Sequence, residues 1–209
     1  MFIEVLPKGL SRHLETLSRG GMLRLFYLAG GTGAALQLGH RISVDLDFFS
    51  FNDFDPHILT RNIAQKVDFT GVEISPATLH GIFEETRMSF FHYPYPLIGA
   101  SAHAFGVEIA SLPDIACMKI DAIASRGSRK DFIDLYVICQ RIKPLSQLLR
   151  LFEQKYQGIK YNKVHILKAF CYFEEAEEEP IPRLLSPLAW GDVKAFFVTE
   201  SQKIASRWL

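Results

Sequence analysis

Two features close together in the chain have the residue types for chemistry: the glycine pair Gly30-Gly31 and, beyond the thirteen residues 32–44, the pair Asp45-x-Asp47. Ile42, Val44, Leu46 and Phe48 alternate with Arg41, Ser43, Asp45 and Asp47, the period-two pattern of a half-buried strand, so both carboxylates are expected on one face. Neighbouring carboxylates repel unless a cation lies between them, and Mg²⁺ is the usual partner of an all-oxygen donor set. Upstream, the apolar run Leu25–Ala29 reads as a strand broken at Gly30-Gly31, after which Thr32 opens a short helix through about Leu38 that Gly39 ends. A strand-to-helix turn offers backbone N–H groups to an anion, and glycine leaves room for a phosphate. Ser43, on the aspartate face, and Arg41, at the strand start, are candidates to bond that phosphate. The plain alternatives are a strand hydroxyl and a surface charge. Separately, a glycine pair is a turn and an Asp-x-Asp a solvated strand face.

In this order the two are far more selective. They resemble the nucleotidyltransferase signature, a glycine pair or Gly-Ser followed by Asp-x-Asp, and the wording LAGGT…L…HR.S.DLDFF within residues 26–49 is similar to the AbiEii/AbiGii branch of abortive-infection toxins. The resemblance implies an α/β (α+β) fold, a nucleotidyltransferase-like mixed sheet flanked by helices with a C-terminal helical part. In that scheme Asp45 and Asp47 hold Mg²⁺, and Gly30, Gly31 and Thr32 seat the β- and γ-phosphates of a nucleoside triphosphate during in-line transfer at the α-phosphorus.

The second chemical stretch is MKIDAIASRGSRKDFIDLYVICQR. Lys119 and Arg126 lie on one face of a helix; Lys130 and Asp134, four apart on the next, read by spacing alone as a surface ion pair. Lys119 followed by Lys130-Asp131-Phe-Ile-Asp134-Leu135 is, however, similar to the K…KDxxDL element of the same toxin branch. That resemblance makes Lys119, Lys130, Asp131 and Asp134 residues required for activity, a lysine reaching triphosphate oxygens and an aspartate near the acceptor hydroxyl. The superfamily often draws a third metal carboxylate from the strand read here as Arg87–Tyr93, which offers only Ser89 and His92. Asp131 is the preferred replacement. Glu108 is another, its plain reading a polar strand position.

The elements that must position these groups follow from local pattern. Leu10, Leu14 and Leu17 mark an amphipathic helix in residues 8–20. Asp55-Pro56 is an N-cap with proline in the first turn, leading a helix to about Val67, which leaves little reason to see Asp53 and Asp55 as a second metal pair. Short strands are expected at Val72–Ser75, Thr78–Glu84, Arg87–Tyr93 and Val107–Ala110, and helices at Pro113–Ser125, over the KDxxD stretch, at Leu145–Tyr156, Asn162–Glu178 and Trp190–Trp208. The natural division is a core of residues 1–111 and a helical part of residues 112–209. The run Glu174–Glu179 reads as a solvated helix end.

Composition bounds the rest. With 23 basic and 23 acidic residues the chain has no net charge, so no global attraction to nucleic acid is implied. Cys117, Cys139 and Cys171 read as reduced core residues of a cytosolic protein, and no apolar run is long enough to cross a membrane. The resemblance points to guanosine triphosphate as donor, to RNA and especially tRNA as acceptor, and to a cognate antitoxin protein as partner. Two other readings fit the same residues: a nucleotide-binding regulatory module without transfer, and a small-molecule nucleotidyltransferase of the antibiotic-modifying kind.

Overall fold

The computed structural model describes residues 1–208. It divides into a unit Met1–Ser111 and a second unit beginning at Leu112. The first is a mixed sheet of seven strands, β1 (Tyr27–Leu28), β2 (Leu46–Ser50), β3 (Phe69–Ser75), β4 (Thr78–Phe83), β5 (Thr86–His92), β6 (Ala102–Ala104) and β7 (Val107–Ile109), in the order β3-β4-β5-β2-β1-β7-β6. β2 runs parallel to β5 and β1 to β7; the other pairings are antiparallel. Helices α1 (Leu10–Arg19), α2 (Gly30–Leu38) and α3 (Pro56–Ala64) complete the unit.

Leu10, Leu14 and Leu17 of α1 and Leu59 and Ile63 of α3 share one core with Leu28, Leu46, Phe48, Leu79, Met88 and Phe90 of the sheet. α3 starts where the sequence places it, with Asp55 Oδ1 accepting from the N–H groups of His57 and Ile58 at 2.8 and 3.2 Å. Gly39 ends α2 in the left-handed region at φ 65°. Register then sorts the other sheet face. Asp47 stands opposite Ser89, Phe49 opposite Phe91 and Tyr27, Ser89 opposite His80, and Tyr27 opposite Glu108. Directly opposed residues point the same way, so these share the face away from Phe48 and Phe90. His92, opposite Ser50, falls on the core side.

Two departures concern the site. The alternation read from Ile42 begins only at Leu46, and Val44 is 54% exposed. Residues 43–45 are instead tied elsewhere: the Ser43 N–H donates to the Val5 carbonyl at 3.0 Å and the Thr32 hydroxyl takes the Asp45 carbonyl. Away from the site, strand β6, Ala-His-Ala, alternates over only three residues, too few to announce it.

The second unit holds six helices among the described residues: α4 (Leu112–Ser125), α5 (Arg129–Arg141), α6 (Leu145–Lys155), α7 (Lys163–Ala169), α8 (Glu174–Glu178) and α9 (Trp190–Trp208). α4 packs on α5, α6 and α7, and α9 covers α5, α6 and α7 around Ile120, Phe132, Leu135, Phe152, Phe170 and Phe197. The single helix expected over Asn162–Glu178 is broken in two. Cys171 and Tyr172 close 3₁₀-type turns onto Lys168 and Ala169, which brings Phe173 against Phe132 and Trp190. Cys171, expected in the core, is exposed; Cys117 is buried, and burial pushes its thiol up to about 12, the mark of an inert packing residue. No helix among the described residues is long and apolar enough to cross a membrane.

Candidate active site

At Gly30 the chain turns from β1 into α2 with φ +59°, a conformation that costs any L side chain. Space reinforces backbone: a Cβ there would sit 2.6 Å from Asp47 Oδ2. Gly31 is glycine for a related reason, since a Cβ would run into the Arg41 guanidinium and come within 3.3 Å of Ser43 Oγ. The room left by the glycine pair thus admits the chain's own Asp47 and Arg41. Arg41 is 3% exposed, which overturns the surface-charge reading, and its Nη1 donates to the Ile42 carbonyl at 3.1 Å.

Thr32 is buried and its Oγ1 lies 2.8 Å from Ser43 Oγ as well as against the Asp45 carbonyl. A carbonyl only accepts and a hydroxyl has one proton, so Thr32 donates to Asp45 and Ser43 donates to Thr32. This fixes the backbone just before Asp47 to the first turn of α2. The N–H groups of Gly30, Gly31 and Thr32 have no backbone acceptor among the described residues. Three orphan donors, an arginine and a carboxylate therefore meet in one turn.

Gly30→Ala should cost about 1–2 kcal/mol in strain and weaken Mg²⁺-triphosphate binding by pressing on Asp47. Thermal melting and calorimetric titration measure both; a variant with parental affinity would separate this turn from the nucleotide.

No group of three His, Cys, Asp or Glu placed to hold a metal occurs among the described residues. Opposite Asp47, Ser89 is held by His80, whose Nδ1 lies 3.0 Å from Ser89 Oγ. Glu108 shares this face and takes the Ser101 hydroxyl. Asp47, half-buried against Gly30, and Asp45, half-buried two residues before it, would be the hard oxygen ligands of Mg²⁺, which takes one or two carboxylates and completes its shell with phosphates and water.

In the helical unit, Lys119 Nζ sits between two carboxylates, 2.7 Å from Asp131 Oδ1 and 2.7 Å from Asp134 Oδ2. Asp131 Oδ2 also receives Arg126 Nε at 3.3 Å and Ser128 Oγ at 3.0 Å. Lys119, Asp131 and Asp134 are 6%, 2% and 0% exposed, whereas Lys130 is exposed. The surface pair read between Lys130 and Asp134 is therefore corrected: Asp134 turns inward to Lys119. Spacing could not show this, because the partner lies across the turn between α4 and α5.

Burial pushes the Asp131 carboxyl up, but the charges of Lys119 and Arg126 outweigh it and hold the group below its ordinary value. A depressed folded pKa contributes stability above the unfolded value, near 3.9, and loses it as pH falls through the folded one. The melting-temperature gap between the parent and Asp131→Asn should accordingly stay constant from pH 7 to about 5 and close below about pH 4. A gap that closed near neutrality would assign the effect to another group.

Three buried features escaped the sequence reading. Lys155 Nζ pairs with Asp114 Oδ1 at 2.8 Å, both side chains 0% exposed, joining α6 to α4. Arg129 lies over the Trp190 ring and donates to the carbonyls of Ala176 and Glu177 at the end of α8. The Arg129 N–H donates to Glu179 Oε2 at 3.0 Å, and Glu177 pairs with Lys194, so the acidic run is structural rather than merely solvated. An apolar cavity of about 770 Å³ between α4, α7 and α9 is walled by Ile123, Val164, Leu167 and Ala205, and its lining includes Arg126, the partner of Asp131.

A mixed sheet with a glycine turn into a helix and aspartates at the head of the next strand defines a nucleotidyltransferase fold. MenT4, a nucleotidyltransferase toxin of Mycobacterium tuberculosis H37Rv, superposes with a TM-score of 0.56 at 16% identity, covering 93% of this chain and 84% of that one. JHP933 of Helicobacter pylori gives 0.53 at 14%, covering 97% and 94%. In sequence the chain is 38% identical over 189 residues to an uncharacterised protein of Aquifex aeolicus (strain VF5), spanning 88% of this chain and 90% of the relative. Residues 60–206 match the family of the nucleotidyl transferase AbiEii toxin of type IV toxin–antitoxin systems; the chain belongs to that family and is a nucleotidyltransferase. The matched span contains Lys119–Asp134 and begins after Asp47.

Proposed function

We propose that this chain moves a nucleoside monophosphate from GTP to an RNA acceptor, tRNA above all, in a Mg²⁺-dependent reaction, as the cytoplasmic toxin of a pair whose other member is an antitoxin protein. The observation that carries the reading is the approach of Asp47 to Gly30, which sets a carboxylate against the orphan donors of α2. In this scheme the N–H groups of Gly30, Gly31 and Thr32 and the Arg41 guanidinium bind the β- and γ-phosphates, with Ser43 holding Thr32 in place. The acceptor hydroxyl gives its proton to water, its oxygen forms a bond to the α-phosphorus, and the bond from that phosphorus to the bridging oxygen breaks as pyrophosphate departs. Asp45 and Asp47 would hold Mg²⁺, which when bound would lower the pKa of that hydroxyl and neutralise charge on the leaving group.

Lys130, exposed on the first turn of α5, is the proposed cation of the KDxxD element for triphosphate oxygens, and Lys119, Asp131 and Asp134 form its buried support. Asp131 remains the proposed third carboxylate of the transfer site, in place of the one that the strand of Ser89 lacks. Asp131→Asn tests that role below its lowered melting temperature: a folded variant that no longer transfers supports it, and parental transfer by the folded variant makes Asp131 a holder of Lys119 alone.

Ser89 opposite Asp47, where a third carboxylate is often drawn, favours a second reading, a nucleotide-binding module without transfer. Incubation with α- and γ-labelled GTP, Mg²⁺ and total RNA decides between them. Label entering RNA from the α position alone establishes transfer; tight GTP binding without incorporation establishes the module.

A further inference from the structure

The face of the sheet that carries Asp47 also carries an aromatic strip. Phe49 lies two residues beyond Asp47 on β2, about 6.6 Å along the strand, and stacks on Phe91 of β5 with centroids 5.1 Å apart. Tyr93 meets Phe49 edge to face at 5.4 Å. All three rings are half-buried and none belongs to the core that holds Phe48 and Phe90. Phe49 also stacks on Tyr27 at 6.0 Å and His80 meets Phe91 edge to face at 5.5 Å, so the rings form a contiguous, half-buried aromatic strip beside the metal-binding candidates.

Direction along β2 gives the strip a purpose. The Ala29 N–H donates to the Asp47 carbonyl and Tyr27 stands opposite Phe49, so the glycine turn lies at the Asp45 end and the rings at the other. In-line displacement brings the incoming hydroxyl to the α-phosphorus opposite the departing pyrophosphate. With pyrophosphate at Gly30–Thr32, that side is the aromatic one. We propose that Phe49, Phe91 and Tyr93 form a nucleobase-binding surface that takes the terminal base of a single-stranded RNA acceptor, an inference that rests on the transferase reading above. Aromatic side chains hold any base by its π-face, so this surface positions the strand end without demanding a sequence.

The test measures binding of three probes, a ten-nucleotide single-stranded oligoribonucleotide, Mg²⁺-GTP and inorganic tripolyphosphate, to the parent, Phe49→Leu, Phe91→Leu and Phe91→Trp. The leucine variants should bind the oligonucleotide roughly 5- to 150-fold more weakly and keep parental affinity for GTP and tripolyphosphate, while Phe91→Trp binds it as well as the parent. Leucine fills the site with apolar volume, and Tyr93→Leu, at the strand end, provides the same reading should either phenylalanine variant unfold. Unchanged oligonucleotide affinity in folded leucine variants overturns the proposal. Weakened GTP binding with tripolyphosphate and oligonucleotide unaffected also overturns it, giving the rings to the donor base. Failure of the parent to bind either phosphate probe would instead sink the transferase reading, a result the oligonucleotide series does not share.

Discussion

Lys119→Met should destabilise the helical unit by about 3–5 kcal/mol, the cost of removing one partner from a buried ion pair. Methionine matches the lysine stem in length and apolar character, so the loss isolates the ammonium. Asp131 would keep Arg126 and Ser128, whereas Asp134, 0% exposed, would lose the Lys119 ammonium 2.7 Å away. Adding Asp134→Asn to Lys119→Met should therefore recover part of the loss, a non-additivity expected within one network. The melting temperature of the single variant should fall by more than about 10 °C at pH 7. A fall of under 1 kcal/mol would mean that water replaces the ammonium and that the cluster opens readily.

That cluster shows where the sequence could be read and where it could not. Local signals were sufficient for α1, whose Leu10, Leu14 and Leu17 recur at helical spacing, for the Asp55-Pro56 start of α3, and for α9, expected and found over Trp190–Trp208. Each is decided within a few residues. Lys130 and Asp134 also showed a local signal, an i,i+4 pair, and it misled, because the bend at Gly127-Ser128 sets Asp134 against a lysine on the preceding helix. Side chains that bond across elements leave no periodic trace. Arg129 at the end of α8 and Lys155 against Asp114 are of this kind.

The glycine turn divides in the same way. The spacing of Gly30-Gly31 and Asp45-x-Asp47 announced a strand, a turn and a helix, and the break and the Gly39 stop lie where expected. Only coordinates show that Gly30 makes way for Asp47 and Gly31 for Arg41, or that the Thr32 hydroxyl holds the Asp45 carbonyl and delays β2 until Leu46. The pattern carried the chemistry; the reason for each glycine lay in side chains ten or more residues away.

Asp47→Asn should leave stability within about 1 kcal/mol of the parent, because the lost charge also relieves repulsion from Asp45 in the metal-free protein. Transfer should fall on the order of 1000-fold, as expected when a preorganised charge that meets the developing transition state is removed, about 4 kcal/mol in the barrier. The decisive reading is the metal increment in binding. Parent protein should bind GTP more tightly with Mg²⁺ than without, and Asp47→Asn should bind it equally in both, since the N–H groups at Gly30, Gly31 and Thr32 survive while the ligand does not. Ser89→Asp supplies the converse. A carboxylate opposite Asp47 should raise Mg²⁺ affinity in the parent background, at the expense of the His80 bond, and should restore part of the metal increment to Asp47→Asn. An Asp47→Asn protein that keeps the full Mg²⁺ increment and parental transfer would remove the metal from β2 altogether.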